Sequence, residues 1–219
     1  MSKIKRQVCR QPRTLYEGPR ERLAIDFHDY EKSPEGYASL MLITDWWSGL
    51  IWDYYLPDRT ALSIIIVMDN LLQVLSWQYK VISKVIECDN KLTLCKLQVY
   101  KWLVGKGLKV EPSTPDTQSQ NGGAKRSGGV IKEKGCAMHA SAKFPGFLWP
   151  EISRAAVYLY NRTPKYLYYW KSLYKRFFTR MAHREGVVVD RQKPEQTHLK
   201  EYRCKAYAMT TATHNKKNY

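Results

Sequence analysis

Asp26 lies inside the alternating run L-A-I-D-F-H, and Asp89 ends the strand-like run V-I-E-C-D-N. Carboxylates are the ligands that hard cations such as Mg²⁺ take, so a convergent pair of this kind suits metal-assisted chemistry. Each also has a plain use: Asp26 could face solvent or pair with a lysine, and Asp89-Asn90 could simply form a turn. His28 is two residues from Asp26, hence on the same strand face, and reads most simply as an ordinary strand histidine. Thirty-five residues separate Asp89 from Lys125. Lys125 opens a basic series with Arg126, Lys132, Lys134 and Lys143.

Lys125 stands near the end of the stretch V-E-P-S-T-P-D-T-Q-S-Q-N-G-G-A-K-R at 110–126. Spacing and wording together resemble the Asp…Asp-35-Glu constellation of retroviral and retrotransposon integrases. The run T-P-D-T-Q-S-Q-N-G-G-A is closest to the Copia-type branch. The resemblance covers roughly residues 20–180 and implies an RNase H-like α/β fold, a mixed five-stranded sheet flanked by helices. It also implies DNA strand transfer, with element ends and target DNA as partners. Asp26 and Asp89 would then be ligands of a two-Mg²⁺ site, in which one ion activates the attacking oxygen and the other stabilises the leaving one.

One residue departs from that pattern. Where the family carries its third carboxylate, this chain has Lys125. An ammonium has three donors and no acceptor lone pair, so it cannot ligate a cation. Beside a dication at about 4 Å, with an effective dielectric near 20, it costs roughly 8 kcal/mol before relaxation. The resemblance therefore implies a copy that has lost catalysis. Glu133 is a poor substitute, about 80° round the helix from position 125. Lys132 is two turns after Lys125 and nearly on the same face, where the family contacts DNA phosphates. Arg126 and Lys134 add charge there.

Leu23–Tyr30, Tyr37–Thr44 and Leu50–Leu56 read as three strands joined by short turns. Asp58 or Thr60 can cap a buried helix over Ala61–Tyr79. Lys84–Cys88 is a fourth strand, Leu92–Val104 a helix with helical apolar spacing, and Leu108–Val110 a short fifth strand. A glycine-weakened helix is expected from Ser119 to about Lys143, a second over Pro150–Tyr160, and a third over Tyr166–Arg180. A strand at Lys205–Thr210 is expected beyond. Tyr166, Tyr168, Tyr169 and Trp170 interleave with bases and can stack on unpaired nucleobases, while Trp149 and Tyr158 read as core.

Composition bounds these readings. The 219 residues carry a net charge of +16, which points toward a polyanion, nucleic acid first. The charge is separated: residues 1–20 are net +5, 21–60 net −5 and 125–180 net +10. Cys9, Cys88, Cys95, Cys136 and Cys204 contain no C-x-x-C pair, so neither a disulfide framework nor a zinc knuckle is legible. No apolar run approaches the ~20 residues of a spanning helix, and a soluble intracellular protein, nuclear if expressed, is expected. The expected organisation is a basic disordered arm (1–20), a core-like domain (21–180) and a partial C-terminal extension (181–219). H-L-K-E-Y-R-C-K-A-Y at 198–207 resembles the segment after the Copia-type core, with Arg203 where a glycine usually stands. RNA and a second copy are further partners to consider. The alternatives to an integrase core are a non-catalytic nucleic-acid-binding module and a non-functional relic.

Overall fold

The apolar runs that mark the three N-terminal strands become one sheet covered on both faces. A computed structural model describes residues 21–89, 96–112, 122–184, 186 and 199, without the side chains of 112, 122–126 and 184. The basic arm, most of the stretch before Lys125, and the segment 200–219 with its expected strand lie outside these residues. β1 (Arg22–Asp29), β2 (Ser39–Asp45) and β3 (Ile51–Leu56) form an antiparallel meander. β4 (Val85–Cys88) pairs parallel to β1, and β5 (Lys109–Pro112) pairs parallel to β4. The order β3-β2-β1-β4-β5 is the mixed five-stranded sheet the sequence implies.

β2 is buried along its whole length because both of its faces are covered. Met41 and Ile43 point with Leu23 and Ile25 toward α1 (Ala61–Tyr79) and α2 (Leu97–Gly105), where Ile64, Met68, Leu71, Leu75, Val99 and Leu103 complete one core. Leu40 and Leu42, one residue out of phase, face α3 (Gly122–Ala142) and α4 (Trp149–Arg162), packing on Ile131, Trp149, Ala156 and Val157. The side-chain period of two thus sorts one strand between two helical layers. α5 (Leu173–Arg184) packs Leu173, Phe177 and Met181 beside the start of β3.

α1 begins at Thr60, whose side chain accepts from the Ser63 N–H, while Asp58 Oδ1 accepts from the N–H and hydroxyl of Thr60. Both expected caps are therefore used. Among the described residues α1 has the length and apolar composition to cross a bilayer, which a search for unbroken apolar runs overlooks because Ser63, Asp69 and Gln73 interrupt it. Its buried stripe packs on the sheet.

Two helix expectations change. α2 begins at Leu97, and the expected turn from Leu92 falls largely outside the described residues. The helix expected over Tyr166–Arg180 does not form as one piece. A 3₁₀ turn at Tyr166–Tyr168 ends in Tyr169 and Trp170 at φ of 52° and 58°, and α5 starts only at Leu173. Left-handed backbone cannot continue a right-handed helix.

Candidate active-site cleft

Asp26, Ala24 and His28 occupy the face of β1 opposite Leu23 and Ile25, so they look toward α3. In the parallel pairing of β1 and β4, Ala24 is level with Glu87. Two residues further along, Asp26 comes level with Asp89. Both line one cleft of about 360 Å³, together with His28, Asp29, Arg59 and Lys132. The sheet topology therefore brings together two aspartates sixty-three positions apart.

α3 closes this cleft by direct backbone contact. A Cβ on Gly128 would stand 2.5 Å from Asp26 Oδ2 and 2.6 Å from His28 Nε2. Lys125, Gly128 and Lys132 are spaced i, i+3, i+7 on the helix, one stripe along its surface. Lys132 lines the cleft. The side chains of Lys125 and Arg126 lie outside the described residues. Lys134 is exposed and does not line the cleft; burial and the neighbouring charge of Lys134 lower the pKa of Lys165.

Asp26 is partly exposed and accepts from the Phe27 N–H at 3.0 Å. His28 Nε2 lies 3.3 Å from Asp26 Oδ2, without hydrogen-bond alignment, and is otherwise buried without a partner among the described residues. The histidine read as an ordinary strand residue is thus part of the cleft wall. Asp29 is held by Arg59, whose Nε lies 2.7 Å from Asp29 Oδ1 and whose guanidinium also covers the Phe27 ring at 4.9 Å. Asp89 is exposed. Its neighbour Cys88 has a thiol pushed up to about 12, first by burial and then by the charges of Asp89 and Glu87.

Glu87 is an acidic neighbour of Asp89 without motif support in the sequence, and Arg22 carries no motif either. Arg22 donates from Nε and Nη2 to Glu87 Oε2 at 3.0 and 2.8 Å, and Nη2 also reaches Glu111 Oε2 at 2.7 Å. Glu87 and Glu111 are direct cross-strand partners, an unfavourable like-charge pairing that Arg22 offsets. This ties β1, β4 and β5 together one strand step below the cleft. The signal was an arginine at the buried start of β1, legible only once the register is known.

Cys136 is exposed, Cys88 is buried, and neither is in a disulfide. Among the described residues, no three His, Cys, Asp or Glu side chains gather as a metal-binding group.

No family model matches the sequence, and no curated protein matches it. Solved structures do. The catalytic core domain of BIV integrase superposes with a TM-score of 0.56 at 16% identity, covering 76% of this chain and 99% of that one. The HTLV-2 integrase catalytic core domain, in a trimeric form in complex with magnesium, gives 0.53 at 15% identity, covering 73% and 97%. The chain therefore has the fold of retroviral integrase catalytic cores.

Proposed function

We propose that this chain is an integrase catalytic core of the Copia-type retrotransposon branch, in a copy that binds DNA but no longer joins it. One observation carries the reading: Asp26 and Asp89 line a single cleft that α3 abuts at Gly128 and that Lys132 also lines. A fold shared with integrase cores makes such a cleft the natural place for the family's chemistry, and the wording before Lys125 supports the Copia branch.

The donor set does not fit the pair of ions that phosphodiester transfer uses. Two carboxylates suit one hard cation with retained waters. The third donor is missing among the described residues, and position 125 supplies an ammonium in its place. No transfer step is assigned to this cleft. What its own residues can do is bind: Lys132 and Lys96 stand beside its aspartates while Arg59 is held by Asp29, and the net +10 of residues 125–180 supplies the wider field. DNA, of element ends or of target, is the partner such a surface fits, and the nucleus is where it would be met.

The experiment is a joining assay on element-end oligonucleotides with Mg²⁺ or Mn²⁺. The unmodified chain should give no product, and Lys125→Glu should restore some. Joining by the unmodified chain that Asp89→Asn abolishes would overturn the loss of catalysis.

A further inference from the structure

Beyond the Asp26 cleft, at the other end of the sheet, lies a second groove that no step above uses. Trp46 donates its N–H to the Arg22 carbonyl at the start of β1, so its neighbour Trp47 stands four residues, about 13 Å of strand, from the level of Asp26. Trp47 forms one wall of a groove of about 560 Å³ whose other wall is the turn before α5 and the exposed face of that helix. Among the described residues nothing acidic lines it; Lys171, Lys175, Arg176, Arg180 and His183 do.

Two features set this groove apart from a merely solvated basic face. Arg176 and Arg180 are spaced i, i+4, a like-charged pair that a helix disfavours, and Lys175 and His183 line the groove beside them. From Leu173 to Arg184 α5 contains no carboxylate at all. The turn beside it holds its aromatic rings out into water: Tyr166 is 82% exposed, Tyr169 90% and Trp170 69%. Tyr169 and Trp170 do this in consecutive left-handed conformations, which side-chain-bearing residues rarely adopt and which the surrounding fold must impose. The bridge between Lys165 and Lys171 clamps the turn. Arg176 is already stacked between aromatics, with its guanidinium 4.3 Å from the ring centres of both Trp47 and Tyr168.

We infer that this groove is a binding site for single-stranded nucleic acid, with unpaired bases stacking on Tyr169, which lines it, and on Trp170 of the adjoining turn, and phosphates held by Lys171, Lys175 and Arg180. Exposed rings beside cations favour a strand whose base faces are free, because a duplex hides those faces and offers only phosphates. The concave lining, basic and aromatic among the described residues, favours this occupant over a flat lipid surface or a second copy of the chain. The inference rests on the proposed nucleic-acid function, and assigns the single strand to a surface distinct from the Asp26 cleft.

The test compares the full chain binding a fluorescein-labelled oligo-dT strand and the duplex it forms with oligo-dA, by anisotropy. Trp170→Ala should weaken oligo-dT binding by on the order of tenfold and leave duplex binding unchanged, and Trp170→Phe should restore it. Arg180→Ala, a change at a helix surface that leaves the turn intact, should also weaken oligo-dT binding and lower its salt slope by about 0.7. Lys132→Ala should do the reverse, weakening the duplex more than the strand. If Trp170→Ala and Arg180→Ala both leave oligo-dT binding untouched while Lys132→Ala weakens the duplex, the groove inference falls alone. If the chain binds neither nucleic acid, both readings fall. Loss in Trp170→Ala of binding to phosphatidylserine vesicles, or of self-association, with oligo-dT binding intact would give the surface to lipid or to a second copy and overturn the inference.

Discussion

Gly128 of α3 meets Asp26 of β1 so closely that no side chain fits between them: a Cβ at 128 would lie 2.5 Å from Oδ2. A glycine inside a helix ordinarily weakens it. Here its missing side chain sets the distance between the helix and the strand that carries the aspartate. Gly129 is the internal comparison, since a Cβ there meets nothing within 4 Å. Gly128→Ala must push the Asp26 and His28 side-chain ends aside, which offsets its gain in helix propensity, so it should be less stable than Gly129→Ala by about 1 kcal/mol. Gly129→Ala should stabilise the protein by about 0.5–1 kcal/mol. Thermal or urea unfolding of the two variants checks the contrast, and equal effects would mean that α3 does not abut Asp26.

Arg22 holds Glu87 in a nearly dry setting, with side chains 9% and 6% exposed. Replacing it by methionine removes one partner of a buried pair, and Arg22→Met should cost about 3–5 kcal/mol in urea unfolding at neutral pH. The same network gives a pH dependence. Burial alone would push Glu111 up, but its hydrogen bonds from Lys109 and Arg22 and the charges of both outweigh this and hold its carboxyl below the ordinary value of 4.5. A depressed folded pKa means stability that is present above the unfolded value and lost as pH falls through the folded one. The deficit of Arg22→Met relative to the unmodified protein should accordingly narrow below about pH 4.3. A deficit that stays constant down to acid would show that Glu111 gains nothing from Arg22.

Lys132 lines the same cleft as Asp26 and Asp89 and forms no ion pair there with either. A phosphate contact from it carries no sequence information. Lys132→Ala should weaken duplex binding evenly across unrelated sequences and reduce the salt slope by about 1. A change in sequence preference would mean that it reads bases.

The three N-terminal strands were legible because short apolar runs are separated by turn residues, and α1 because Thr60 and Asp58 mark its start. Asp26 and Asp89 could be proposed as partners from wording and spacing. Their proximity follows from the parallel pairing of β1 with β4, which periodicity does not encode. Three things were hidden for physical reasons. The Arg22–Glu87–Glu111 cluster depends on three strands meeting in register. The place of Gly128 depends on how closely a helix approaches a strand, and in the sequence it looked only like a weak point. The break at Tyr169 and Trp170 put tertiary context above local pattern, since both residues favour regular structure and neither is a turn former.

The proposed loss of catalysis requires residue 125 to lie at the Asp26–Asp89 site, and the most direct measurement is the melting temperature of the chain and of Lys125→Glu with and without millimolar Mg²⁺. A ligand that binds only the folded state stabilises it by about 2.7 kcal/mol at a hundredfold excess over Kd. The unmodified protein should melt at nearly the same temperature in both conditions. Lys125→Glu should melt lower without metal, where three carboxylates repel one another, and rise with it. Identical behaviour of the two proteins would contradict the account, because residue 125 would then lie away from Asp26 and Asp89.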